Sequence, residues 1–193
     1  MQNFREEQTL LIIKPDGVQK GLIGDIISRI DRCGLKIIAL QMFVATKDQV
    51  DNHYPKDIKW IKRLGTKTLS TYEKYNLDPV KELGSDKEEE LGQMVRGWLI
   101  DYMTSSPLVK MVIKGAHAID MVRKMAGDTL PINADAGTIR GDYSVDSPVI
   151  ANREKRAVMN IVHASETPEE AEHEIKYWFA PEDIHNYDKK SEV

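Results

Sequence analysis

A chain of 193 residues, 41% hydrophobic and 30% charged, is long enough for one well-buried domain with an elaboration and short for two. Its formal net charge of −4 excludes nucleic-acid binding through a generally basic surface, so a polyanionic ligand would need a locally positive pocket. The single cysteine, Cys33, excludes an internal disulfide and fits a reducing compartment as an inert, partly buried thiol.

The polar start, residues 1–7, lacks the apolar core of a signal peptide, and no apolar run approaches membrane-spanning length. A cytoplasmic location is expected. Thr9 to Ile13 is a continuous apolar run of strand length, consistent with a central strand covered on both faces. Lys14-Pro15-Asp16-Gly17 forces a turn at its end, so Lys14 occupies the strand's mouth. It reads either as a solvated cap or as a cation aimed at phosphate oxygens. Residues 22–33 form an amphipathic helix that Gly34 ends with a left-handed cap. Residues 35–43 alternate as a second strand, and Thr46 with Gln49 makes a capping-box pattern for a short helix through His53 and Tyr54.

From residue 55 to about 92 the character changes. Basic residues come early (Lys56, Lys59, Lys62, Arg63, Lys67) and acids late, on weak helical spacing broken at Gly65, Pro79 and Gly84. The stretch reads as an ordered helical insertion within a single domain spanning 1–193. Its basic half lacks aromatics at strand spacing, so a solvated face is favoured over a nucleic-acid surface. A strong helix follows from Leu91 to Tyr102, then a third strand at 108–113 and a helix at 116–125 that places Arg123 near its end.

Residues 128–149 show no sustained period and much turn chemistry, and they carry Thr129 and Arg140; such a segment in a compact domain is more often a functional loop than filler. Residues 157–162 read as the fourth strand, with His163 where it runs out. Thr167-Pro168-Glu169-Glu170 then opens a helix with an N-cap, a first-position proline and acids in the first turn. At about 100° per residue, Glu174 lies at the margin of that helix's apolar stripe and His173 on the opposite face. A carboxylate there is costly without a partner, and His163 is the natural one. Held at one nitrogen, the imidazole would have the other free to attack an electrophile. The plainer reading, a solvated acid and a satisfied strand-end histidine, stands beside it. In the tail, 181–193, Tyr187 is a docking point.

Strand-helix-strand, helices, strand-helix-strand is a split βαβ pattern: an α/β (α+β) ferredoxin-like sandwich with a four-stranded antiparallel sheet and helices on one face. No P-loop, dinucleotide fingerprint, zinc spacing or Gly-x-Ser-x-Gly elbow occurs. What remains is a histidine with a flanking carboxylate, plus Lys14, Arg123, Arg140 and Thr129 at loop or helix ends. That set suits phosphoryl transfer.

The segments TLLIIKPDGVQKGLIG (9–24), GTIRGD (137–142) and NIVHAS (160–165) resemble the signature segments of nucleoside diphosphate kinase, in that family's order. The resemblance implies a ping-pong reaction in which a nucleoside triphosphate phosphorylates a histidine, which then phosphorylates a different nucleoside diphosphate. It gives His163 the nucleophile's part, Glu174 the orienting part and Ser165 a supporting one. It also assigns Lys14, Tyr54, Arg123, Thr129, Arg140 and Asn160 to phosphates, ribose hydroxyl or the histidine's surroundings, with Leu99 beside the base. Magnesium would bridge the nucleotide phosphates rather than sit in a protein cage, and dimers built into tetramers or hexamers are expected. The alternative is a catalytically silent nucleotide-binding or assembly module on the same fold.

Two departures from the family stand out. The base-stacking aromatic falls near Met94-Val95, so Val95 weakens the platform unless Trp60 or Trp98 substitutes. The segment near 146–156 makes the stretch between Arg140 and Asn160 about ten residues longer than loop-length priors suggest. Residues 149–155 are expected to form a flap over the nucleotide or an added subunit contact.

Overall fold

The structure is a computed structural model that describes residues 6–188; most of the polar start and the last residues of the tail lie outside that range. In chain order the first elements are β1 (Glu7–Ile13), α1 (Pro15–Gln19), α2 (Ile23–Arg32), β2 (Lys36–Phe43) and α3 (Lys47–His53). Then come α4 (Ile58–Lys74), α5 (Pro79–Leu83), α6 (Glu88–Met103), β3 (Leu108–Gly115) and α7 (Ala118–Ala126). The last are α8 (Ile139–Tyr143), α9 (Pro148–Arg153), β4 (Val162–Ala164) and α10 (Pro168–Trp178). The sheet order is β2-β3-β1-β4 with every pairing antiparallel, the ferredoxin-like arrangement.

Helices cover both faces of this sheet rather than one. The alternation of β1 explains it: Leu10 and Ile12 enter one apolar cluster with Val50, Met103, Ile175 and Trp178, while Leu11 and Ile13 enter another with Ile26, Ile30, Val122 and Ile139. A strand apolar at every position needs cover on both sides. In β2 a bulge between Ile37 and Ala39 interrupts the simple alternation, so that Ile38 and Ala39 are both buried. Tyr187 docks beside it, its hydroxyl donating to the Ile37 carbonyl (3.0 Å) while His185 N–H donates to Ile38 O (2.8 Å). Cys33 caps α2 and is exposed rather than partly buried.

The fourth strand is displaced from its expected place. β4 covers only Val162–Ala164, because Ile161 has a left-handed backbone (φ +67°) that breaks any ladder through 157–161. His163 therefore lies inside the strand, paired with Ile12 of β1. The caps foreseen for α3 and α10 are present: Thr46 and Gln49 close a reciprocal capping box, and Thr167 Oγ1 accepts from Glu170 N–H (3.2 Å) with Pro168 at the first position.

Within 55–92, α4 runs straight through Gly65 instead of breaking there. Gly65 serves contact: a Cβ on it would lie 1.8 Å from Glu88 O, and one on Gly92 would lie 2.0 Å from Ile61 O. The backbones of α4 and α6 touch at these two glycines, and Tyr72, Leu83 and Leu91 form a small core beneath them. The 149–155 segment forms most of α9, which packs on α4 and α5 and adds an Arg153 Nε–Glu82 Oε2 ion pair (3.3 Å). It rests on the insertion instead of lying as a free flap. No helix among the described residues is long and apolar enough to cross a membrane.

Candidate active site

The site lies where β1 and β4 run side by side and their following loops meet. His163 Nε2 is 2.9 Å and 3.0 Å from the two oxygens of Glu174, which α10 delivers from its sheet-facing side. A carboxylate only accepts, so Nε2 carries a proton, and in the neutral ring the lone pair is on Nδ1. Among the described residues Nδ1 receives no hydrogen bond. Ser165 Oγ–H donates to Glu174 Oε2 (2.6 Å), and the hydroxyl oxygen sits near Leu10 N–H (3.4 Å). Burial pushes the Glu174 pKa up, but the His163 ring and its hydrogen bond, with His53 and Ser165, hold it below the usual carboxylate value.

His53, at the end of α3, is a member of this cluster that the sequence reading passed over. Its ring stands edge-on to His163 with centroids 4.9 Å apart, and its Nδ1 is 3.5 Å from Glu174 Oε1. Trp178 Nε1–H donates to that same Nδ1 (3.2 Å), so the nitrogen is unprotonated. Burial and the neighbouring His163 lower the His53 pKa to about 3, which keeps it neutral. A neutral neighbour leaves the charge of Glu174 to His163. Trp178 is itself held to the sheet, since Lys110 Nζ donates to its carbonyl and lies 4.4 Å over the Phe179 ring. The only sequence signal for His53 was its position beside Tyr54 at the end of a capped helix, which does not mark a buried histidine.

A second group of residues is bound together by a different set of contacts. Lys14 Nζ donates to Asn160 Oδ1 (2.7 Å), and Asn160 Nδ2 donates to the Thr129 carbonyl (2.9 Å). Arg140 is buried, with Nε donating to Asn160 O (3.1 Å), Nη1 to Gly127 O (2.7 Å) and Nη2 to Val162 O (2.8 Å). Burial, reinforced by Arg140, lowers the Lys14 pKa to about 7 despite Asp16; burial and Arg123 lower that of Arg140 to about 10. Two cations share a desolvated neighbourhood, and such a pair invites an anion.

Asp16 ties this group to β1 and α6. Its Oδ2 accepts from Ile161 N–H (3.1 Å), the strained residue, and its Oδ1 accepts a short hydrogen bond from the Tyr102 hydroxyl. The sequence presented Asp16 only as turn chemistry and Tyr102 only as part of an apolar stripe, so neither carried a signal of this role.

The remaining candidates are more loosely placed. Arg123, half exposed, meets Glu166 at 3.3 Å. Tyr54 abuts His53 (centroids 5.0 Å) and stacks on Trp60 at 6.0 Å and 27°; burial raises its pKa. Leu99 packs against the same core as Tyr54, and so does Trp98. A groove of about 370 Å³ lined by residues 52–56, Glu170, His173 and Glu174 reaches the His53–Glu174 pair from the α10 side. A larger hollow of about 470 Å³ over Lys87, Glu89, Glu90 and Gln93 contains none of these residues.

A family model described as nucleoside diphosphate kinase matches residues 7–60 and 87–184, leaving the stretch between them, most of α4 and all of α5, unmatched. A nucleoside diphosphate kinase of Pyrobaculum aerophilum is 48% identical over 178 residues, 92% of this chain and 97% of its own. A crystal structure of an NDP kinase from that organism is 46% identical with a TM-score of 0.90, covering 94% of this chain and all of that one. A nucleoside-diphosphate kinase from Borrelia burgdorferi, solved as a transition-state mimic with vanadate and ADP, is 33% identical with a TM-score of 0.77, over 97% of this chain and 95% of its own.

Fold and relatives together define a nucleotide-using phosphotransferase. More particularly, the chain belongs to the nucleoside diphosphate kinase family, and its activity is phosphoryl exchange between nucleoside tri- and diphosphates.

Proposed function

We propose that this exchange runs through His163 in a ping-pong cycle. Nδ1 attacks the γ-phosphorus of a nucleoside triphosphate, the bond to the β,γ-bridging oxygen breaks, and the diphosphate leaves. A second diphosphate then takes the phosphoryl group from Nδ1 and restores the free imidazole. The observation that carries the reading is the Nε2 contact with Glu174, which fixes the tautomer and turns the nucleophilic nitrogen away from its holder. Ser165 supports the carboxylate from behind.

Lys14, Arg140 and Arg123 are the cations that meet the phosphates, with Thr129 and Asn160 between them and Tyr54 at the side. Their arrangement supports stabilisation of charge developing on the transferred group. Leu99 is assigned to the base side, and Tyr54, packed against the same core, stacks on Trp60. Magnesium enters as the counter-ion of the nucleotide. The one cluster of metal-ligand geometry among the described residues, His53–His163–Glu174, offers imidazole nitrogens, which this ion does not favour. Phosphate oxygens and water would hold it, where it would neutralise phosphate charge.

The reading extends to one domain carrying a helical insertion at about 55–92 and to a homo-oligomer built from dimers. The edge strand β2 leaves Leu40 and Met42 half exposed, and Val44 just after it is more exposed still, which supports such an assembly. A cytoplasmic location belongs to the same reading and fits the single free cysteine, Cys33.

The test is incubation with γ-labelled ATP. Acid-labile, alkali-stable label should appear on the wild-type chain, and His163→Ala should carry none. Label that survives in that variant sinks the assignment, and absence of label from the wild type would favour a silent module.

A further inference from the structure

Asn160 is held from behind by residues that do not belong to the reacting cluster. Asp146 is buried, and its carboxylate accepts from Met159 N–H (2.7 Å), from Ser147 N–H (2.9 Å) and from both terminal nitrogens of Arg156 (2.6 and 3.2 Å). Ser144 Oγ donates to the Met159 carbonyl (2.7 Å). Both polar groups of the Met159 backbone are thus pinned, one residue before Asn160. One residue after it comes the left-handed Ile161, whose N–H goes to Asp16 and whose carbonyl accepts from Lys14 N–H (2.8 Å).

A strained backbone persists only where its surroundings over-determine it. Here the clamps on Met159 and Ile161 leave the Asn160 amide one orientation, spanning the Lys14 ammonium and the Thr129 carbonyl. The Met159 clamp lies in the long stretch between Arg140 and Asn160. That stretch leans on the insertion, where Arg153 meets Glu82 and Glu82 accepts from the Tyr72 hydroxyl (3.2 Å).

We propose that Asp146, backed by Arg156, is a positioning residue for phosphoryl transfer: it fixes Met159, and through it the Asn160 amide that aims Lys14. The proposal rests on the part given above to Lys14 and Asn160. It assigns the long 146–156 stretch the task of bracing the phosphate side from behind.

Asp146→Asn replaces one accepting oxygen by a donor, so the side chain no longer accepts from Met159 N–H and the full Arg156 fork together. Single-turnover phosphorylation of His163 by ATP should slow about tenfold, because a small misplacement near the reacting atoms is costly. The loss should fall on kcat, with KM within about twofold of wild type. In an Asn160→Ala background the same substitution should change the rate by less than about twofold, since its target is already gone. Ser144→Ala, a milder variant that frees only the Met159 carbonyl, should show the same pattern at smaller size and decides the matter if Asp146→Asn fails to fold.

Equal slowing in both backgrounds, or a folded Asp146→Asn that turns over normally while wild-type His163 still takes label, overturns the proposal. Absence of label from wild type would instead overturn the underlying assignment.

Discussion

The loop around Asn160 and the helical insertion are both firmly built, but by opposite means. In the loop, Lys14, Arg140, Asp16 and Asn160 are buried polar groups joined to one another and to backbone carbonyls. In the insertion, two glycines let helix backbones touch and three buried side chains fill the space beneath. Polar networks of the first kind fix positions at a cost in desolvation, whereas packing of the second kind supplies stability without chemistry. Damage to the two regions should therefore be separable.

The largest effect expected is on the insertion's packing. Gly65→Val drives a side chain into the Glu88 carbonyl, which is backbone and cannot swing aside. Urea unfolding should show a loss of about 3 kcal/mol or more. Molecules that remain folded should still take label on His163; a folded but unlabelled variant would mean that the insertion takes part in the chemistry.

Lys14→Met should do the reverse. Phosphorylation of His163 should fall on the order of 10²-fold for loss of a preorganised cation. Stability should rise, and the sign follows from the lowered pKa. With a folded value of about 7 against an ordinary 10.5, the unfolded chain binds the Lys14 proton more tightly than the folded one between those values. Burial of the charge thus costs stability in full below about pH 7, and the cost fades as pH rises towards 10.5. Thermal melts should show the variant's advantage at pH 6.5 and its shrinkage by pH 9.5; an advantage independent of pH would contradict the buried-cation picture.

The smallest effect is expected at His53→Gln. His53 stays neutral in the fold down to about pH 3 but takes a proton near 6.5 once unfolded, so it makes the fold less stable as pH falls through that window. Glu174, also held below its ordinary 4.5, adds a loss of the same sign only at lower pH. The variant should lose about 1–2 kcal/mol less than wild type between pH 6.5 and 4.5. Parallel acid curves would show that His53 is not the neutral group described.

Sequence reading reached the capped helices, the central strand and the His163–Glu174 pair because each leaves a local trace. Thr46 with Gln49, Thr167 with Pro168 and the apolar run at 9–13 all act within a few positions of themselves. His163 and Glu174 were legible for a related reason: one helix and the turn before it connect them. Gly65, by contrast, looked like a breaker because its purpose lies on another helix, and His53 looked incidental because its partners arrive from α10 and β4.

By itself, the order of residues determined the capped helices, the central strand and the pairing of His163 with Glu174, through forces that span a turn or a cap. Only tertiary structure decided that both sheet faces are covered, that β4 begins after a left-handed Ile161, and that Asp16, Asp146 and Asn160 meet around one loop. Those outcomes depend on apolar packing across the sheet and on buried hydrogen bonds between separate elements, such as Asp16 with Ile161, whose desolvation is repaid only once the whole sheet has closed.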